Sequence, residues 1–421
     1  MNITIKPTRT VSGQVTAPPS KAQTHRALFT ALLTRGSTTI IHPLRCDDTK
    51  ATERAVAALG ARISGSAIVT VSSNGVLKRP SGIIDCGESG VTMRFVIPML
   101  SLLGDENVLK VEESLLRRPI KPLADALKQL NVSLNINDHV ITVSGGPAEG
   151  GTVTVRGDVS SQFISGLLLA GTLMKKGIKL EVNSPLESRN YVLLTIETLR
   201  SHGVNINVSR DFSVFEIPSG QEPKPARHEI SGDYSSASYH LCAAAITGSS
   251  LTVRNLSQTL EPDSVIVDLL ARMGARTIVN RNSVIMNGRR LRATDVDIRE
   301  CPDLGPIIAV LACYAEGGTT RITGARRLRY KESDRLASMR SELVSLGGEV
   351  VETEDGLVLS GPIALRGGIA QTHNDHRIAM ALSIAALGAK DEITIHGAEC
   401  VNKSYPRFFE DLRSIGVKVV G

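Results

Sequence analysis

Seven short clusters of polar residues stand at the heads of apolar runs, and their residue types suit the binding of anions. The first is Pro18-Pro19-Ser20-Lys21-Ala22-Gln23-Thr24-His25-Arg26. A helix starting near Ser20 presents free N–H groups and a positive dipole end, to which Lys21 and Arg26 add cations. The second, Gly87-Glu88-Ser89-Gly90-Val91-Thr92-Met93-Arg94, places two glycines where a backbone can approach a ligand closely. In Arg117-Arg118-Pro119-Ile120, two adjacent guanidiniums could fork onto a carboxylate. Val159-Ser160-Ser161-Gln162, with Ser188 and Tyr191 further on, offers consecutive hydroxyls suited to a phosphate dianion. The last three clusters are Leu328 to Arg335, His373-Asn374-Asp375-His376-Arg377 and Asn402-Lys403-Ser404-Tyr405-Pro406.

Each cluster also has a plainer explanation. Ser20 and Ser160 could simply cap helices, and an Asp303 after Pro302 would cap one equally well. The Leu328–Arg335 stretch could be a solvated turn. His373 and His376 invite a metal, but no third ligand follows at a recognisable spacing. The bulk properties narrow the field. The net charge is +6, yet no run of five like charges occurs and aromatics are only 3% of the chain, with no Trp. Nucleic-acid binding needs basic runs or stacking platforms, so the charge points instead to small phosphorylated molecules. The six cysteines form no C-x-x-C pair, which predicts free thiols in a reducing cytoplasm. Met1 to Lys6 alternates like a strand rather than a leader, and no apolar run has membrane-spanning length.

The elements that must position these clusters repeat six times. Each unit has a small polar start, an Ala/Leu-rich helix, a Gly turn and a β-branched strand. The starts are Ser20, Glu88, Ser160, Ser235, Pro302 and Asn374, about 70 residues apart, which is βαβ size rather than a solenoid period. Amphipathic helices ending near Gly or Asn lie between, over Thr49–Leu59, Ile120–Leu130, Tyr191–His202, Pro262–Met273 and Ser333–Leu346. Short alternating strands such as Val153–Val155 and Ser213–Ile217 should follow them as pairs. Ser219–His228 reads as a loop near the midpoint, with three units on either side. With 421 residues, two similar α/β lobes of three units each are expected.

In this order, from Lys21 to Lys403, the clusters resemble the EPSP synthase family of enolpyruvyl transferases. Lys331-Glu332-Ser333-Asp334-Arg335 and Asn374-Asp375-His376-Arg377 carry the resemblance most specifically, with Arg118-Pro119-Ile120. It implies two lobes of three inverted βαβαββ units: residues 1–13 and 233–421 as one, 19–228 as the other, joined by a two-stranded hinge at 14–18 and 229–232. It implies an active site between the lobes that closes on shikimate 3-phosphate and phosphoenolpyruvate. Residues matching Ser160, Ser161, Ser188 and Lys331 hold the shikimate phosphate in such proteins; those matching Arg26 and Gln162 hold the ring or its carboxylate, near Ala22. Gly90, Arg118, Gln162, Arg335, Arg377 and Lys403 match the surroundings of phosphoenolpyruvate, with Lys21 between the ligands. Asp303 matches the base at the 5-hydroxyl. Glu332 and Lys21 are candidates for moving the C3 proton, and His376 for orienting neighbours. No metal or cofactor is implied. The resemblance further implies a cytoplasmic monomer that glyphosate could inhibit.

Departures from the family pattern are Ala22 for Ser, Glu88 and Val91 for Asn and Thr, and Arg327 for Asn. A sister reaction on UDP-N-acetylglucosamine is disfavoured, because the loop Ser114-Leu115-Leu116-Arg117-Arg118 lacks that enzyme's reactive Cys.

Overall fold

The computed structural model describes all 421 residues, Met1–Gly421. It contains six four-stranded sheets, one for each repeat, and all six share a pairing pattern. A first strand runs parallel to a second; the second pairs antiparallel with the fourth, and the third lies outside the fourth. In one sheet Gly151–Val155 runs parallel to Ile178–Val182, which pairs antiparallel with Val214–Ile217, flanked by Asn207–Val208. A parallel pair needs a crossover, here the helix Ser161–Gly171, and the helix Arg189–Ser201 leads into the closing hairpin. This is the βαβαββ unit expected from the repeats.

The chain divides into two compact units, Met1–Pro18 with Ser231–Gly421, and Pro19–Ile230. Three sheets fall in each, and three of the six are completed by strands distant in sequence. Gln14–Thr16 pairs with Thr252–Arg254. Asn2–Ile5 lies between Ile393–His396 and Val419–Val420. Arg227–Glu229 runs parallel to Thr39–Ile41. The expected loop Ser219–His228 therefore ends in a strand, because the Arg35–Ile41 strand otherwise has a bare edge at its C-terminal half. Val153–Val155 likewise does not follow its helix as half of a hairpin. The hairpin after Lys121–Lys128 is Val132–Asn137 with Val140–Gly145, and Gly151–Val155 opens the next unit.

Two kinds of helix result. Lys21–Leu32, Gly90–Leu100, Ser161–Gly171, Tyr234–Ile246, Gly305–Tyr314 and His376–Ala385 are buried on nearly every side, and past their first turns Arg26 and Arg94 are the only charged residues they carry. The other helices show one apolar stripe: in Lys121–Lys128 only Leu123, Ala126 and Leu127 are buried. A sixth helix of this outer kind, Phe408–Ser414, escaped the sequence reading because it is short; Phe408, Phe409 and Leu412 turn inward. No helix is long and apolar enough to cross a membrane.

The buried helices approach closely where glycine allows it. Pro98 has no N–H for the carbonyl of Arg94, four residues earlier. Gly166 packs against that same carbonyl: a Cβ there would lie 2.4 Å from Arg94 O and 3.3 Å from Pro98 Cγ. Gly166→Ala must therefore push two buried helices apart despite alanine's better helix propensity. A loss of about 1–3 kcal/mol is expected in denaturant unfolding. Unchanged or higher stability would mean that the contact is not constrained.

Candidate functional site

In the Pro19–Ile230 unit the polar clusters sit at helix starts that are bonded to one another. Ser20 caps Lys21–Leu32 by accepting the N–H of Gln23, as its type predicts. Lys21 Nζ lies 2.9 Å from Asp48 Oδ2, at the head of the helix Asp47–Ala58. Arg26, one turn on, is buried. Its Nε donates to Thr195 Oγ1 at 2.8 Å, Nη1 to the carbonyl of Ala22 at 2.9 Å and Nη2 to that of Tyr191 at 2.8 Å. Ala22 thus meets Arg26 through its backbone. Ser160 Oγ accepts the N–H of Gln162 as a cap, and Ser161 begins the helix. Ser188 adopts φ +52, a conformation rare outside Gly, Asn and Asp, at the start of Arg189–Ser201, and makes no side-chain cap bond there.

Gly90 is the first residue of its helix, after the Ser89 cap. A Cβ on it would lie 2.8 Å from Arg94 Nη1 and 3.1 Å from Arg118 Nη1. The glycine leaves open a position that two guanidinium ends crowd, so a side chain there would have to shift them. Arg94 also donates to Gln162 Oε1 at 2.8 Å and stacks 5.6 Å over Phe163. Arg117 and Arg118 do not fork together. Arg118 turns inward and is buried, whereas Arg117 is exposed and pairs with Glu113 one helical turn back. Adjacent residues in a helical turn face different directions, which sequence adjacency conceals.

In the other unit the centre is Arg335, 1% exposed at the head of Arg335–Ser345. Its Nε and Nη2 fork onto Asp375 at 2.7 and 3.2 Å. Nη2 also reaches Glu332 Oε2 at 2.7 Å, and Nη1 reaches Asp303 Oδ1 at 2.9 Å. Three carboxylates share one guanidinium. Lys331 Nζ is 3.2 Å from Asp303 Oδ1, Arg377 Nη2 is 3.7 Å from Asp303 Oδ2, and Lys403 Nζ is 3.7 Å from Glu332 Oε1. The Leu328–Arg335 stretch is thus no solvated turn. Asp303 is not a helix cap either: it lies in the 3-10 turn Pro302–Leu304, and Gly305–Tyr314 starts without a side-chain cap bond. Burial pushes the Asp303 carboxyl up, but Lys331, Arg377 and Arg335 pull it well below the ordinary carboxylate range. His376 is buried, with Nδ1 3.8 Å from Asp375 Oδ1, while His373 pairs with Glu342 at 2.7 Å. The two rings take different partners, which argues against a shared metal.

Sequence reasoning left Arg94, Asp48 and Asp375 out of the site. Each lies within a motif or beside a helix start, and Asp375 also caps His376–Ala385 by accepting the N–H of Arg377 at 2.9 Å. An Asp preceding a helix reads as a cap, and nothing local reveals its second partner forty residues away.

Known proteins resemble this chain over nearly its whole length. The profile of EPSP synthase (3-phosphoshikimate 1-carboxyvinyltransferase) matches residues 5–412. The chain belongs to the EPSP synthase family. A 3-phosphoshikimate 1-carboxyvinyltransferase of Halobacterium salinarum is 41% identical over 438 aligned positions, covering all of both chains. One of Thermococcus kodakarensis is 40% identical over 412, covering 98% of this chain and 99% of its own. The solved EPSP synthase of Acinetobacter baumannii superposes over the whole of both chains with a TM-score of 0.82 at 27% identity. EPSP synthases are transferases that move the enolpyruvyl, or carboxyvinyl, group, and the two-lobed fold of three βαβαββ units per lobe is theirs.

The Asp303 environment has a consequence in acid. A carboxyl whose folded pKa is depressed stabilises the fold above its unfolded value, about 4, and loses that contribution as pH falls through the folded value. The stability gap between the wild type and Asp303→Asn should be widest near neutrality and shrink steadily below pH about 4 in denaturant titrations. A constant gap down to pH about 2 would contradict the depressed pKa.

Proposed function

We propose that this chain transfers the enolpyruvyl group of phosphoenolpyruvate to the 5-hydroxyl of shikimate 3-phosphate, with Asp303 as the base that accepts the hydroxyl proton. The carrying observation is that one carboxylate is held by Arg335, Lys331 and Arg377 together. So placed, Asp303 is ionised but a weak base. Anionic substrates that draw those cations onto themselves would raise its basicity when it is needed.

The reaction is addition followed by elimination. The 5-hydroxyl oxygen bonds to C2 of phosphoenolpyruvate as C3 gains a proton, giving a tetrahedral intermediate. The C2–O bond to phosphate then breaks and C3 returns a proton, leaving the enol ether and inorganic phosphate. Glu332 and Lys21 are the groups suited to the C3 proton. Glu332 is held by Arg335 and faces Lys403, and Lys21 is paired with Asp48. On the same reading Ser160, Ser161, Ser188 and Lys331 hold the shikimate phosphate, and Arg26 and Gln162 the ring and carboxylate. Lys21, Gly90, Arg118, Arg335, Arg377 and Lys403 take phosphoenolpyruvate. These cations would also suit glyphosate, which carries a carboxylate and a phosphonate. His376, buried beside Asp375, orients its neighbours.

Phosphate release from phosphoenolpyruvate should depend on added shikimate 3-phosphate, and release that ignores the second substrate would reject the assignment. In the same assay Asp303→Asn should lower kcat about a hundredfold or more while calorimetric binding of shikimate 3-phosphate persists. Near-normal turnover would remove Asp303 from the base role. Gly90→Ala puts a methyl where Arg94 and Arg118 already crowd. It should raise the KM for phosphoenolpyruvate and weaken glyphosate; wild-type values for both would place Gly90 outside the pocket.

A further inference from the structure

A line of hydrogen bonds between neutral side chains crosses the interior of the Pro19–Ile230 unit. His25 Nδ1 lies 2.7 Å from Thr52 Oγ1, Thr52 Oγ1 lies 2.6 Å from Thr92 Oγ1, and Thr92 Oγ1 lies 2.7 Å from Ser89 Oγ. All four side chains are buried. The line joins three helices. His25 stands between Lys21 and Arg26 on Lys21–Leu32, Thr52 stands on Asp47–Ala58, and Ser89 caps Gly90–Leu100. Asp47–Ala58 therefore grips the first helix at two points one turn apart, through Asp48 to Lys21 and Thr52 to His25. It passes that grip on to the helix headed by Gly90.

Packing alone does not call for these residues. Threonine is a modest helix former, and valine has nearly its shape without the hydroxyl. Hydroxyls in line fix distance and direction, where apolar side chains allow sliding. The line also has a consistent polarity. Burial pushes the His25 ring down to about 3, so at neutral pH it carries a single proton. Its Nε2 is buried and has no hydrogen-bond partner. A buried N–H without an acceptor is the rarer and costlier arrangement, so the proton belongs on Nδ1. Nδ1 then donates to Thr52 and Thr52 to Thr92, whose single hydroxyl proton is shared between Ser89 Oγ and the carbonyl of Asp48 at 3.4 Å. Ser89 Oγ also accepts the backbone N–H of Thr92 at 3.3 Å.

We propose that the His25–Thr52–Thr92–Ser89 line sets the Lys21 end of one helix against the Gly90 end of another, and that Thr52 at its centre is a positioning residue for phosphoenolpyruvate. The proposal rests on the reading of Lys21 and Gly90 as phosphoenolpyruvate residues. Shikimate 3-phosphate should be spared, because Arg26 is held independently by Thr195 and Tyr191.

The test compares Thr52→Val, Thr92→Val and Thr52→Ser with Gly90→Ala, by steady-state kinetics and by calorimetry with shikimate 3-phosphate alone. Either valine variant should raise the KM for phosphoenolpyruvate about threefold to tenfold, the scale of one lost buried hydrogen bond. The dissociation constant for shikimate 3-phosphate should stay unchanged, and Thr52→Ser should behave as wild type. Nitrogen-15 NMR of the wild type should show His25 neutral at pH 7 and protonated on Nδ1. Folded valine variants with a wild-type phosphoenolpyruvate KM, beside a Gly90→Ala that raises it, would overturn the line's role and leave the site reading standing. Equal weakening of both substrates would reduce the line to general stability and also overturn it. No effect from Gly90→Ala or the valine variants would overturn the site reading, and the proposal with it. A proton on Nε2 would overturn the polarity on which the positioning argument rests.

Discussion

A buried guanidinium is tolerable only when its charge is met, and much of one unit is arranged to meet that of Arg335. Asp375 takes it through two bonds from the next repeat, Glu332 lies three residues before it, and Asp303 comes from the start of Arg335's own repeat. Desolvating one such charge alone costs several kcal/mol, so removing any single partner leaves the others uncompensated. The same contacts that make Arg335 bearable also hold Asp303 and Glu332 close to Lys331, Arg377 and Lys403. On the proposed function, stability and chemistry are drawn from one ion network, so the groups suited to proton transfer are also the groups whose loss strains the fold.

The two units solve a common problem with different materials. In each, helix starts from successive repeats must be tied together so that their N–H groups and side chains keep register. One unit ties them with ions around Arg335. The other uses bonds in which at least one partner is neutral: the His25–Thr52–Thr92–Ser89 line, the Arg94–Gln162 bond and the contacts of Arg26 to Thr195 and to the Tyr191 carbonyl. Bonds to neutral acceptors do not depend on the ionisation of a carboxylate, whereas the ionic network weakens when its carboxylates protonate.

Glycine makes the close approaches possible. Gly166 lets two buried helices meet at the Arg94 carbonyl that Pro98 leaves without its helical partner, and Gly90 leaves room for two guanidiniums at one helix head. The first is a packing constraint, and on the proposed function the second is a binding one. Both residues are helical, and neither needs an unusual φ. What they supply is the absence of a side chain.

Much was legible in the sequence because it is local or periodic. The six polar helix starts, the six helix-and-strand units, the caps at Ser20 and Ser160 and the inward helix stripes follow from spacing and residue type, since each depends on neighbours within a few positions. The motif order carried the family. Other features depend on residues far apart in the chain, and only the tertiary structure decided them. Arg227–Glu229 is a strand because Thr39–Ile41 offers it an edge. Arg118 is buried while Arg117 is not, because one of the two faces the Gly90 helix. Asp303 is an ion-pair acceptor rather than a cap because Arg335 arrives from the second helix of the same repeat, 32 residues on. A side chain's type limits the partners it can take, but which partner it meets is set by the crossing of elements that the local sequence does not encode.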